Sequence, residues 1–201
     1  METTSDERLL AEFLAGDETA FTALVKRHSR EVYQFIFRFT RNQAGAEDVA
    51  QETFVQVYQS AASFDPSRSF RPWLFTIAAN KARDQLRVSA RKREVALTLG
   101  TGSGDSTEVS LLDFLSDGSD APSDALESDE RREAVQAVVS RMPEILREVL
   151  VLGYFQRFSY KEIARMLDVP LGTVKSRLHA AVSHFAAAYR KAELERGASP
   201  S

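Results

Sequence analysis

Thirty-five consecutive residues, Ala96 to Glu130, hold no lysine or arginine and nine acidic side chains. The same stretch is rich in glycine and serine, as in GTGSGDS and SDGSDAPSD. It lacks the apolar surface needed to offset the entropy of ordering, so it reads as a tether rather than as part of a core. A tether there divides the 201-residue chain into two small domains. The expected boundaries are a first domain at 1–95, a tether at 96–127, a second domain at 128–192 and a tail at 193–201.

The division also changes what the charge means. The whole chain carries −3, which by itself argues against nucleic acid. Yet residues 1–95 sum to +1, the cation-free stretch to −9 and residues 131–201 to +5. The absence of cysteine excludes disulfides, thiolate zinc sites and thiol chemistry. The opening METTSDERLL has neither a basic start nor a long apolar run, so no signal peptide is expected. No run approaches the roughly 18 apolar residues of a membrane span, and no membrane insertion is expected.

The apolar spacing predicts an all-α chain. Phe21, Leu24, Val25, Val32, Phe35, Ile36 and Phe39 recur at helical period. Gly16 closes a short first helix, and Asp17 is placed to cap the next. Val49, Phe54, Val57 and Tyr58 continue on a helix from about Ala44. Asp65-Pro66 interrupts it, and a long helix follows from about Phe70 into Arg91–Arg93. In the second domain Val135, Val138, Val139 and Met142 mark one helix. Pro143 suits the first turn of the next, whose stripe is Leu146, Val149 and Leu150.

SYKEIARMLDVPLGTVKSRLHAAVSHF is the most informative run. Ser159 and Glu162 have capping-box spacing before a helix carrying Ile163, Ala164 and Leu167. Asp168-Val169-Pro170 ends that helix, and another begins near Leu171. Val174, Leu178, Val182, Phe185 and Tyr189 form its expected apolar stripe. Thr173, Lys175, Ser176, Arg177 and His179 lie off the stripe or on its margin. Two helices, a tight turn and a polar, basic start to the second helix describe a helix-turn-helix that places donors against base edges in the major groove. An ordinary helical hairpin with a solvated basic face has the same pattern.

A second constellation lies in the first domain. Pro66–Arg93 has eight basic side chains against Asp84, interleaved with Phe70, Trp73 and Phe75 and preceded by Phe64. Rings beside cations suit unstacked bases on a single strand. The competing reading is core packing with solvated charges, and Trp73, Leu74 and Ile77 are expected in the core either way. Phe64 and Asn80 are harder to explain by packing. Glu47, Asp48, Gln51 and Glu52 cluster on the preceding helix, where they fit a basic protein partner better than phosphate. A solvated helix face is the alternative.

Taken in order, GDETAFTALVKRH, AEDVAQETFVQVY, SFDPSRSFRPWLFTIAANKARDQLR, MPEILREVLVL and FSYKEIARMLDVPLGTVKSRL resemble the two-domain extracytoplasmic-function (ECF) sigma factors of bacterial RNA polymerase. The resemblance covers most of the chain outside the tether and the extreme ends. It implies a non-enzymatic initiation factor, with no catalytic residue, cofactor or metal, working in the bacterial cytoplasm in a stress response.

The resemblance also implies partners and site residues. Asp48, Gln51 and Glu52 would meet the clamp helices of the largest subunit of core RNA polymerase. The loop Ser63 to Phe70, with Phe64, Arg68 and Phe70, would pocket a flipped non-template base. Asn80, Lys81 and Asp84 would face the −10 element of promoter DNA and help melt it. Lys175, Ser176, Arg177 and His179, with Thr173 beside them, would read the −35 element, with Tyr160 and Lys161 near phosphates. The second domain would dock on the flap of the second-largest subunit. The tether would thread the polymerase channel, and an anti-sigma factor would hold the chain inactive. Gly153, Ala180 and Ala181 depart from the basic residues common in relatives, so no contact is carried to them.

Val109, Leu111, Leu112, Phe114 and Leu115 make an apolar knot within the tether. It is expected either to form a short helix on a domain or inhibitor, or to hold only transient structure. The acidic tether is expected to compete for the basic faces in the free protein. The rival function is a plain DNA-binding regulator using the helix-turn-helix alone. A hydrolase reading is weaker, because His28, His179 and His184 are scattered and no P-loop or nucleophile elbow occurs.

Overall fold

The computed structural model describes residues 4–98 and 134–197, all of whose regular elements are helical. The acidic tether, its apolar knot and the extreme C-terminal tail lie outside the described residues.

Local signals set the helix ends in the N-terminal half. Helix α1, Asp6–Leu14, starts on Ser5, whose side chain accepts from the Arg8 amide. Gly16 then takes φ 105°, a left-handed turn that disfavours side-chain-bearing residues. Asp17 accepts from the Thr19 amide and hydroxyl at 2.9 and 2.6 Å and begins α2, Glu18–Thr40. Asn42 caps α3, Gln43–Ser60, by accepting from the Gly45 amide at 3.1 Å. A 3-10 turn at Ala61–Ser63 leads to the Asp65-Pro66 break, and α4 runs over Phe70–Thr98. The α4 start has a cap from far away in sequence: the Phe70 amide donates to Glu7 Oε1 at 2.8 Å.

These helices enclose a ring-rich core. Phe35, Phe39, Phe70 and Phe75 are fully buried, with Leu10, Leu24, Val32, Ile36, Val57 and Leu74. Each such side chain contributes roughly 1.5–3 kcal/mol of transfer free energy. Leu74 is core as expected; Trp73 and Ile77 pack on the core margin.

The C-terminal half follows with α5 at 134–141 and α6 at Glu144–Leu150, which continues into a π-helical turn at Val151–Phe155. Pro143 sits at the cap of α6, one position before the expected first turn. Helix α7, Tyr160–Leu167, opens on the expected capping box: Ser159 Oγ accepts from the Glu162 amide, and the Glu162 carboxylate accepts from the Ser159 amide at 2.7 Å. Asp168, at φ 51°, makes the turn to α8, Leu171–Gly197. Val182 corrects the expected α8 stripe, since it is 57% exposed. The buried face runs instead through Val174, Leu178 and Ala181, with Phe185 packed beside them. Those positions keep the helical period, and Val182 lies one residue, about 100°, off that line.

The two halves pack directly on each other. Phe158 meets Phe75 edge-on with ring centroids 5.2 Å apart, and the Arg38 guanidinium lies over Phe155 at 4.6 Å. Arg147 is buried, its guanidinium 5.8 Å from the Phe39 ring, and its Nη1 donates to the Ser140 carbonyl.

Candidate nucleic-acid interface

The helix-turn-helix presents its polar residues outward. Lys175, Ser176 and His179 are exposed on the first turns of α8, and Tyr160 and Lys161 are exposed at the start of α7. Thr173 is half-buried, and its carbonyl accepts from Ser176 Oγ at 3.0 Å. Arg177 is half-buried too, close enough to Glu148 for its charge to favour that carboxylate. The Ser159 hydroxyl, donating to Glu162 at 2.6 Å, holds that carboxyl below its ordinary range, and the Ser159 amide adds to the effect. Val174 and Leu178 anchor α8 inward, which leaves Lys175 and Ser176 between them to face solvent.

The expected single-strand surface in the N-terminal half is built differently. Phe64, Phe70 and Trp73 form one aromatic cluster, with centroids 5.0 Å apart for Phe64–Trp73 and 6.1 Å for Phe64–Phe70. Phe64 and Trp73 remain partly exposed. Phe70 differs from its two neighbours in exposure. It is fully buried, with no ring face open to a base, because it begins α4 beneath the other two rings and against His28. Asp65 folds the loop by accepting from the Ser67 hydroxyl and amide, bonds that hold its carboxyl below the usual range, and it pairs with Arg68 at 3.2 Å.

Asn80 is exposed on α4 and accepts from Arg83. Asp84 pairs with Arg87 at 3.0 Å. Lys81 approaches Glu52 at 3.7 Å, which links this face to the acidic one. Asp48, Gln51 and Glu52 are all exposed and line an open groove with Val55, Gln56 and Gln59. The acidic cluster and the proposed strand face thus adjoin across Lys81.

Three residues outside the expected contact set matter to this surface: Arg71 and Arg83, two of the eight cations of the basic stretch, and Glu148. Arg71 donates to the Gln156 carbonyl and to Gln156 Oε1, both at 3.0 Å, and to Glu31 at 3.2 Å. Arg83 Nε lies 3.3 Å from Glu148 Oε1 without the alignment of a hydrogen bond. Burial pushes the Glu148 carboxyl up to about 7, and the neighbouring Arg83 and Arg177 offset this only in part. The available signal was Arg147-Glu148, two charges inside the apolar helix EILREVL.

His28 is buried against Asp6 at 2.8 Å. Among the described residues no group of three or more His, Cys, Asp or Glu could hold a metal ion. Among them, too, no helix is long and apolar enough to cross a membrane.

Residues 24–92 match the family model described as Sigma-70 region 2, and residues 132–185 match Sigma-70, region 4. The chain is 34% identical over 164 residues to the ECF RNA polymerase sigma factor SigW of Bacillus subtilis, covering 82% of this chain and 86% of that one. Its fold is similar to that of CnrH in complex with the cytosolic domain of CnrY, with a TM-score of 0.65 and 26% identity over 98% of this chain and 100% of that one. It is also similar in fold to a sigma factor RpoE solved with the anti-sigma factor NepR from Bartonella quintana, with a TM-score of 0.67 and 20% identity over 85% and 96% of the two chains.

Proposed function

The chain belongs to the ECF sigma factors of the sigma-70 family, a non-enzymatic family, and from that membership we propose how its surfaces divide the work of initiation. Region 4 reads the −35 element, with Lys175, Ser176, Arg177 and His179 toward base edges and Thr173, Tyr160 and Lys161 toward the backbone. Region 2 holds the −10 strand on Phe64, Arg68, Asn80, Lys81 and Asp84. Phe64 and Trp73 offer the partly open rings on which an unstacked base could rest. Asp48, Gln51 and Glu52 dock on the clamp helices of core RNA polymerase, and region 4 on the flap. The chain acts in the cytoplasm and is held inactive by an anti-sigma factor, as the relatives solved with such partners suggest.

The observation that carries this reading is the adjacency of two unlike surfaces on region 2. An acidic groove at Asp48–Glu52 borders Lys81, midway along α4, the helix whose first turn carries Trp73 packed on Phe64. A plain DNA-binding regulator has no need of that pair. Run-off transcription with core polymerase on a genomic promoter library tests it: promoter-dependent transcripts are expected, and their absence refutes the reading. Asp48→Lys and Glu52→Lys should weaken capture of core polymerase with helix content unchanged, and undiminished capture removes these residues from the docking site.

A further inference from the structure

Helix α1 reaches the aromatic cluster of region 2 from outside. The half-buried Glu7 carboxylate accepts from the Phe70 amide at 2.8 Å, across 63 residues of sequence. Next to it, Asp6 pairs with Arg27, and its Oδ2 lies 2.8 Å from His28 Nε2. The buried His28 ring stands 5.7 Å from the Phe70 ring. Two successive carboxylates therefore brace Phe70, one at its backbone and the other, through a histidine, at its side chain. Leu9 and Leu10 are buried and hold α1 in place to do so.

Phe70 is the floor of the cluster. Phe64 and Trp73 lie 6.1 and 5.8 Å from it, and of the three rings these two keep partly open faces. Where those faces point depends on where Phe70 sits, and so on where α4 begins. The loop before it is tied mainly to itself. The Phe64 amide donates to the Ala61 carbonyl, and Asp65 accepts from Ser67 and from the Arg68 amide. Pro72 brings no amide to the first turn of α4. Helix starts fray when their leading amides lack acceptors. A carboxylate at the first amide satisfies it and complements the positive end of the helix. A stacking platform has to be in place before the base arrives, and rings keep their placing only when the residues beneath them are held in turn.

We infer that Glu7 is a positioning residue for base capture: its bond to Phe70 sets the start of α4 and with it the Phe64–Trp73 platform, so that α1 belongs to the strand-binding site. This rests on the reading of Phe64 and Trp73 as the place where an unstacked −10 base lies. Glu7 itself stands outside residues 24–92, the stretch matched to region 2.

Trp73 is the single tryptophan of the chain, so its emission reports on the platform directly. In the full chain, Glu7→Ala should raise the quenching of Trp73 by acrylamide. In the complex with core polymerase, on a promoter recovered by run-off transcription, it should slow the appearance of permanganate-reactive thymines in the −10 element severalfold. Capture of core polymerase and binding of −35 duplex should stay unchanged. Glu7→Gln keeps an acceptor oxygen and should restore most of the quenching and melting behaviour. Glu7→Asp keeps the charge in the first turn of α1 but falls one methylene short of the Phe70 amide, so it should act as Glu7→Ala does. That variant keeps the test decisive if the alanine variant unfolds, as circular dichroism would show. Asp17→Ala removes the cap of α2 in the same domain without touching Phe70 and should alter neither readout. Unchanged quenching or melting in Glu7→Asp would overturn the proposal. Equal effects from Asp17→Ala would also overturn it, leaving Glu7 a contributor to stability alone. A Glu7→Gln variant no better than Glu7→Ala would overturn the hydrogen bond as the means. Failure of the −10 reading looks different: the unaltered chain then gives no promoter-dependent transcript, while Trp73 quenching still decides whether Glu7 sets the platform.

Discussion

Lys161, Lys175 and His179 of region 4 reach into solvent with no side-chain partner among the described residues, whereas Arg68, Asn80, Lys81 and Asp84 of region 2 are each held by a neighbouring side chain. The contrast follows from where each helix sits. The start of α8 lies at the edge of a small domain, anchored by Val174 and Leu178. Helix α4 crosses the middle of its domain, with the acidic face of α3 on one side and region 4 on the other. A −35 contact from region 4 therefore adds new bonds. A −10 contact from region 2 exchanges protein bonds for DNA bonds, and exchanges at exposed ion pairs are nearly neutral in free energy.

The largest effect should come from the ring that joins the two halves. Phe75 is fully buried and touches both Phe35 of region 2, at 5.4 Å, and Phe158 of region 4. Phe75→Ala should cost about 3–5 kcal/mol in chemical denaturation. If the halves unfold as one unit, probes in both shift together; a shift confined to region 2 would break the idea of a shared core.

Glu148 sharpens the same question through pH. Its carboxyl is raised from 4.5 to about 7 in the folded chain, so the folded state keeps a proton that the unfolded state has lost. Stability from this group is fully present below about pH 4.5, declines as pH rises to about 7, and is flat above. Glu148→Gln should remove that decline and exceed the unaltered chain by about 3 kcal/mol at pH 8. Urea unfolding between pH 5 and 8 checks it. This window lies above the lowered ranges of Asp17, Asp65 and Glu162, which act in the opposite sense at lower pH. Parallel pH profiles for the two chains would contradict the burial of an ionised Glu148.

The contrast between free and held side chains has its own test. Arg177→Ala should weaken −35 duplex binding by roughly 1–3 kcal/mol if it reads a base. Lys81→Ala should cost −10 strand binding no more than about 1 kcal/mol, because its loss also frees Glu52. Equal losses, measured by fluorescence anisotropy, would erase the distinction. The smallest effect is local: Ser159→Ala should cost about 1 kcal/mol of stability by breaking the capping box, with a similar loss for Asp17→Ala.

Much of the fold was legible because its signals act over a few residues. Asp17, the Ser159–Glu162 pair and Asp168-Val169-Pro170 each mark a helix end through bonds or turns within four positions. The exposed face of the helix-turn-helix followed from period alone. The same period misplaced Val182, because the choice between Ala181 and Val182 as the inward residue depends on how closely α8 packs on its neighbours. Composition likewise marks Phe64, Phe70 and Trp73 alike as aromatics near a loop, and only packing leaves Phe64 and Trp73 partly open while it buries Phe70.

By itself the sequence determined the two domains and the helix ends, which rest on composition and short-range spacing, and the family, which rests on five motifs in order. Only the tertiary structure decided that the two domains close on each other, that Glu7 caps a helix 63 residues away, and that Arg71 spends its donors on Gln156, 85 residues away. A guanidinium is the same donor in sequence whatever it will face. Its partner is selected by packing, where burying an acceptor without a donor costs more than any local preference can offset.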